Sequence, residues 1–260
     1  MKRSWVTIDT LREINLDGVE AVAADVDHTL FDFDLAHRAG IDAVRKTIDA
    51  RLAELLSRTF DLVLEGSRRI DHATWERRAE FEKLLSAVAR KQDVPERQAK
   101  KWSRESWIQV ISDREKMGLT VSDVVKARDA YWRTLAISGS IYRDVGTLLG
   151  RMQHRGIPLV LMTASDSVLR PDRTGFTYDP EYAASYKRDR LERMRIPYAD
   201  VVIGDPHDKP SKEFYDMVDQ AVYDAGAANV ARAVSVGDSP RGDVEVPAKR
   251  GYRAYHLDRK

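Results

Sequence analysis

Four short features of this 260-residue chain carry residue types and spacings that could do chemistry. Asp25-Val26-Asp27-His28-Thr29 sets two carboxylates two positions apart, with a hydroxyl after them. Thr163 ends an apolar run. Lys209-Pro210 stands in the stretch IGDPHDKPSKEFY. Gly237-Asp238-Ser239 follows another apolar run, with Asp243 shortly after. Carboxylates gathered in one cleft repel one another unless a cation sits among them. Oxygen donors without His or Cys partners suit Mg²⁺, which usually completes its shell with water and phosphate oxygens. A lysine and a hydroxyl facing the same point could hold the remaining phosphate oxygens. A metal, a carboxylate nucleophile and a carboxyl acid together form a phosphoryl-transfer site. Taken singly, each feature also has a plain reading. Asp25 and Asp27 suit a strand-end turn, Thr163 a buried hydroxyl, Lys209 a solvated lysine and Asp243 the N-cap of the last helix.

The elements that must position these residues alternate. Short apolar runs at 19–25, 159–163, 201–204, 233–237 and 252–257 have the length of buried strands. Amphipathic stretches lie between them. Val145, Leu148, Leu149 and Met152 predict a helix over 144–154, stopped by Gly156 and Pro158. Phe214, Met217, Val218, Ala221 and Val222 predict another over 211–225. Such alternation predicts an α/β fold with a parallel sheet covered on both faces. In an open sheet of that kind, ligands bind at the carboxyl ends of the strands, where all four features fall.

Residues 34–138 read differently. Apolar residues at helical spacing over 34–58, 71–91, 95–112 and 120–137 predict an all-helical block after the first strand. Asp71 with Thr74 and Glu76, and Thr120 with Asp123, offer capping chemistry, and Pro95 suits a first helical turn. The block holds 21 basic and 17 acidic residues and four of the five tryptophans: Trp75, Trp102, Trp107 and Trp132. Its net +4 offsets a net −3 elsewhere, which gives the overall +1. The tryptophans read as helix packing, and Lys100, Lys101 and Arg104 as a solvated face. His37, Arg38 and Arg45, on the first helix of the block, are within reach of a substrate in some orientations of that helix. The segment 165–180 is long for a strand-to-helix connection and reads as a surface insertion, or else as a loop shaping the mouth of the site.

Composition excludes several classes. Zero Cys rules out a disulfide scaffold, a thiol nucleophile and a Cys-ligated metal. A net charge of +1 gives no general reason to expect nucleic acid or an acidic membrane as partner. No apolar stretch approaches the ~18 residues of a membrane span, and no apolar run follows the basic N-terminal residues as in a secretory signal. The expected location is the cytoplasm.

Together the motifs resemble the haloacid dehalogenase superfamily. ADVDHTLFDFD is similar to its first motif, Asp-x-Asp-x-Thr after a strand. LVLMTAS is similar to the second, DKP with its following helix to the third, and VGDSPRGD to the fourth. Motifs and flanking strands cover about half the chain. The resemblance implies a Rossmann-like catalytic core over 1–33 and 139–260, with a helical cap over 34–138. It implies that Asp25 attacks phosphorus and forms an aspartyl-phosphate, while Asp27 protonates the leaving oxygen and later helps to activate water. It places Thr163, Ala164, Lys209 and His28 at the phosphoryl group. It gives Mg²⁺ to Asp25, Asp238 and the backbone carbonyl of Asp27, with Asp243 in support. The dehalogenases of the family lack an acid at the place of Asp27 and need no Mg²⁺, so its presence points to phosphoryl chemistry.

There are departures. His28 stands where many family phosphatases have Gly, and Lys212 competes with Lys209 for the lysine role. The expected function is a Mg²⁺-dependent phosphatase acting on a small phosphorylated metabolite. The alternatives are a sugar phosphomutase, a phosphonate hydrolase, a nucleotidase or a non-catalytic binding protein.

Overall fold

The structure is a computed structural model and describes residues 5–68 and 75–259. Its strands are β1 Trp5–Ile8, β2 Ala21–Ala24, β3 Leu159–Thr163, β4 Arg170–Pro171, β5 Phe176–Thr177, β6 Asp200–Ile203, β7 Ala233–Gly237 and β8 Arg253–Leu257. Its helices are α1 Phe33–Thr47, α2 Ala50–Arg68, α3 Trp75–Gln92, α4 Arg104–Glu115, α5 Val121–Ser138, α6 Arg143–His154, α7 Pro180–Met194, α8 Lys212–Asp224 and α9 Val246–Arg250. None of the described helices is long and apolar enough to cross a membrane. The chain forms two compact units: 1–34, 139–164 and 194–260 in one, and 35–138 with 165–193 in the other.

The first unit is the predicted α/β fold. Six strands pair in the order β1-β8-β7-β2-β3-β6, every pair parallel. β2, β3 and β7 are buried along their whole length, as expected where helices cover both faces of a parallel sheet. Phe214, Tyr215, Val218, Ala221 and Val222 of α8 pack on Ala21 and Ala23 of β2 and Val160 and Met162 of β3. Each large apolar side chain removed from water there contributes about 1.5–3 kcal/mol. Ser211 starts α8 by accepting the Phe214 N–H, which fixes where the helix begins after the Lys209 segment.

This order sets the functional edge. β2 lies between β3 and β7, with Ala24 opposite Leu161 on one side and Val236 on the other. Residues just past β2 therefore lie between the ends of β3 and β7. From β2 the chain runs outward through β3 and β6, then returns to the other side of β2 as β7. That reversal is a topological switch point, where such sheets open a crevice. β1 was not predicted. It is an edge strand in which only Ile8 is buried, so it shows no apolar run.

The second unit is helical, with different breaks from those predicted. The 34–58 stretch divides because Asp49 accepts the Leu52 N–H and starts a new helix. The 95–112 stretch opens as a short 3₁₀ turn, Glu96–Gln98, and Ser103 then caps α4. Thr120 and Asp123 form the expected reciprocal cap on α5. Asp71 and Thr74 lie outside the described residues. Trp107 and Trp132 are buried packing residues, whereas Trp75 is exposed. Arg104 is no solvated lysine-like neighbour of Lys100 and Lys101. It is buried, with Phe60, Trp107, Tyr131 and Trp132 around its guanidinium.

The segment after Thr163 corrects the surface-insertion reading. Ser165, Asp166, Ser167, Val168 and Leu169 are all buried. Asp166 accepts from Lys187 (2.9 Å) and from Arg190 on both oxygens (3.1 and 3.2 Å). Leu169 bonds through its N–H to Glu105 and through its carbonyl to Arg128. Exposure begins at Arg170 and runs through the β4–β5 hairpin, which turns on Asp172, to Thr177, with Phe176 buried between. The boundary drawn from sequence at 139 would have left this segment with the sheet.

Candidate active site

β2 ends at Ala24, and Asp25 extends its ladder by donating its N–H to the Val236 carbonyl (2.9 Å). The next residues form a tight turn. The N–H groups of Thr29, Leu30 and Phe31 all converge on the Val26 carbonyl. His28 takes φ 64°, the left-handed region that favours glycine. That is the physical reason a Gly suits this position. His28 meets the demand without one, with its ring near Phe33 and Nδ1 3.6 Å from Asp34 Oδ1.

The turn aims Thr29 back at Asp25. The fully buried hydroxyl donates to Asp25 Oδ2 at 3.1 Å. Lys209 Nζ donates to the other oxygen, Oδ1, at 2.6 Å, and to Asp243 Oδ1 at 2.7 Å. Asp243 Oδ2 accepts the Ser239 N–H at 2.9 Å. The plain alternative for Asp243, an N-cap, is corrected here. Ser239 is the cap, accepting the Gly242 N–H, and Asp243 lies inside the wide helical turn Pro240–Glu245. Gly237 is required by packing. A Cβ on it would lie 2.4 Å from the Asp243 side chain.

Carboxylate oxygens of Asp25, Asp238 and Asp243 lie within 4.8 Å of one another. Burial, and then the nearby Asp25, push the Asp243 carboxyl up to about 6 against the opposing pull of Lys209. Burial also disfavours the charge on Lys209, but Asp243 and Asp25 outweigh it and hold the ammonium above the ordinary lysine value. The donor set fits Mg²⁺: three hard carboxylates converge at the end of β2, with no sulfur or imidazole in the cluster.

The remaining expected residues fall as follows. Thr163, 1% exposed, closes β3, the neighbour of β2, and Ala164 follows it half-buried. Asp27 lies two residues beyond Asp25, bridged through its backbone to Phe31. Lys212 is turned away, 77% exposed and paired with Asp216. Within the helical unit, His37 is buried with Nδ1 2.8 Å from Tyr131 Oη, Arg38 is exposed, and Arg45 pairs with Asp42. Thr29, Gly237 and Ser239 belong to quoted motifs, yet sequence reading gave them no contact. Each acts through geometry that a motif does not spell out.

The strand order and the carboxylates at the end of β2 can be set beside solved structures. Over 91% of this chain and 85% of the other, it matches YfnB of Bacillus subtilis, described as a HAD-hydrolase bound to magnesium, at TM-score 0.53 and 14% identity. This chain has the haloacid dehalogenase fold. A haloacid dehalogenase-like hydrolase from Xanthomonas campestris gives TM-score 0.50 at 16% identity, over 93% and 85% of the two chains. L-2-haloacid dehalogenase from Xanthobacter autotrophicus gives 0.51 at 14% identity, over 92% and 77%. No protein-family model and no curated protein sequence matches the chain. The haloacid dehalogenase fold thus includes dehalogenases among these neighbours, so the chemistry must be argued from the side chains.

Proposed function

We propose that this chain is a Mg²⁺-dependent phosphatase that hydrolyses a small phosphomonoester through an aspartyl-phosphate on Asp25. The observation that carries the reading is the convergence of Asp25, Asp238 and Asp243 with Lys209 bridging Asp25 and Asp243. A second acid, Asp27, two residues past the nucleophile favours phosphoryl transfer over carbon–halogen cleavage.

Asp25, Asp238 and Asp243 would hold the metal, which supplies charge neutralisation for phosphate oxygens. Thr29 and Lys209 hold the two oxygens of Asp25, so its carboxylate is oriented before substrate arrives. Lys209 and Thr163 receive the phosphoryl oxygens. A carboxylate oxygen of Asp25 bonds to phosphorus as the ester P–O bond breaks. Asp27 gives its proton to the departing alkoxide, so the alcohol leaves neutral. In the second half, Asp27 takes a proton from water, the water oxygen bonds to phosphorus as the bond from Asp25 to phosphorus breaks, and Asp25 is freed with release of inorganic phosphate. The net +4 of residues 34–138 suits an anionic substrate.

The test is phosphate release from a panel of phosphorylated metabolites, with and without EDTA. Mg²⁺-dependent release by the wild type supports the reading. Inactivity across the panel, despite demonstrated Mg²⁺ binding, would leave a non-catalytic binding protein on this fold. An isomerised product would indicate a mutase.

A further inference from the structure

We propose that Arg259 is a positioning residue for the Asp25 nucleophile, acting through the backbone of Thr29. This rests on the phosphatase reading of Asp25. Arg259 Nη2 donates to the Thr29 carbonyl at 2.8 Å. The same guanidinium forks onto Asp144, with Nη1 3.1 Å from Oδ2 and Nη2 3.0 Å from Oδ1. Its face lies 3.9 Å from the centre of the Tyr142 ring. Asp144 is fixed in turn by the Leu11 N–H at 2.9 Å and the Thr10 hydroxyl at 3.0 Å. The adjacent Leu30 carbonyl accepts the Tyr142 N–H at 3.1 Å.

Two successive carbonyls of the nucleophile turn are thus held from outside, one by Arg259 and one by Tyr142. The side chain of the same Thr29 donates to Asp25 Oδ2. Rotation of the Thr29 peptide would swing that hydroxyl off the carboxylate. The planar fork makes Arg259 specific: a lysine could pair with Asp144 but could not also reach the carbonyl in fixed geometry. Misplacing a reacting group by about 1 Å costs on the order of a hundredfold in rate.

The experiment compares wild type, Arg259→Gln, Arg259→Lys, Thr29→Val and the double variant Arg259→Gln/Thr29→Val. Steady-state kinetics is combined with amide hydrogen exchange of Thr29, Leu30 and Phe31, whose N–H groups all bond to Val26. Arg259→Gln should lower kcat by roughly tenfold to a hundredfold with KM little changed. Arg259→Lys should fall between, which keeps the test alive if the Gln variant folds poorly. In the Thr29→Val background the Arg259 substitution should add little, because the path runs through Thr29. Exchange should rise in the turn while the β3 and β7 amides stay protected. Fully additive kcat losses, or unchanged turn protection in Arg259→Gln, would overturn the proposal. So would loss of protection across the whole sheet with no local preference. A wild type inactive on every phosphomonoester would refute the phosphatase reading alone, and exchange would still decide whether Arg259 holds the turn.

Discussion

Lys209 Nζ lies 2.6 Å from Asp25 Oδ1, with both side chains about nine-tenths buried. The lysine therefore belongs to the nucleophile as much as to any substrate. Lys209→Met should lower kcat by about 10²–10³, the cost of removing one preorganised donor at a developing charge. It should also destabilise the fold by about 3–5 kcal/mol, because two buried carboxylates lose their cation. Lys212→Met, at an exposed position, should change stability by no more than ~0.5 kcal/mol and leave kcat unchanged. Paired melting curves and kinetics check both.

Gly237→Ala tests packing at the cluster. The new methyl would lie 2.4 Å from the Asp243 side chain, so that side chain must move. Overpacking of this kind costs about 1–3 kcal/mol. Mg²⁺ affinity, measured by calorimetry, should fall along with activity.

Much of this fold and site is legible in the sequence, and the rest is hidden for physical reasons. β3 and β7 are legible to the residue because both are wholly buried parallel strands, short and mostly apolar runs ending at Thr163 and Gly237. β1 was not, since an edge strand buries only one of its four side chains. Asp25, Lys209, Asp238 and Asp243 were legible as motif residues, and the structure brings them together at the sheet edge. Arg259 was not, because a single arginine far along the chain carries no spacing signal. Nor was the burial of 165–169, where Ser165, Asp166 and Ser167 look solvated until Lys187 and Arg190 are placed on Asp166.

The carboxylate cluster predicts linkage to metal. Mg²⁺ should raise the melting temperature with the logarithm of its concentration above the dissociation constant, since it binds the folded state. Asp238→Asn should abolish that shift, and EDTA should remove wild-type activity until Mg²⁺ is restored. A melting temperature indifferent to Mg²⁺ would contradict the assignment.

Asp144 predicts a pH dependence of stability. Burial opposes its charge, but Arg259, the Leu11 N–H and the Thr10 hydroxyl outweigh it and hold its carboxyl below the ordinary value. A carboxyl depressed in the folded state stabilises the fold above its unfolded pKa, ~3.9. That contribution is lost as pH falls through the lower folded value. Asp144→Asn should therefore cost about 1.5–3 kcal/mol at pH 7, the worth of a charge-assisted hydrogen bond. The gap to wild type should shrink below about pH 4. Denaturant titrations at the two pH values measure it, and a gap that widened in acid would reverse the sign.

On the proposed mechanism, Asp25 carries the phosphoryl group during turnover. Acid quenching during the first turnover, followed by peptide mass spectrometry, tests it most directly. One phosphoryl group is expected on Asp25 in the wild type, with none in Asp25→Asn and no turnover by that folded variant. A phosphoryl group on another residue, or full activity in Asp25→Asn, would contradict it.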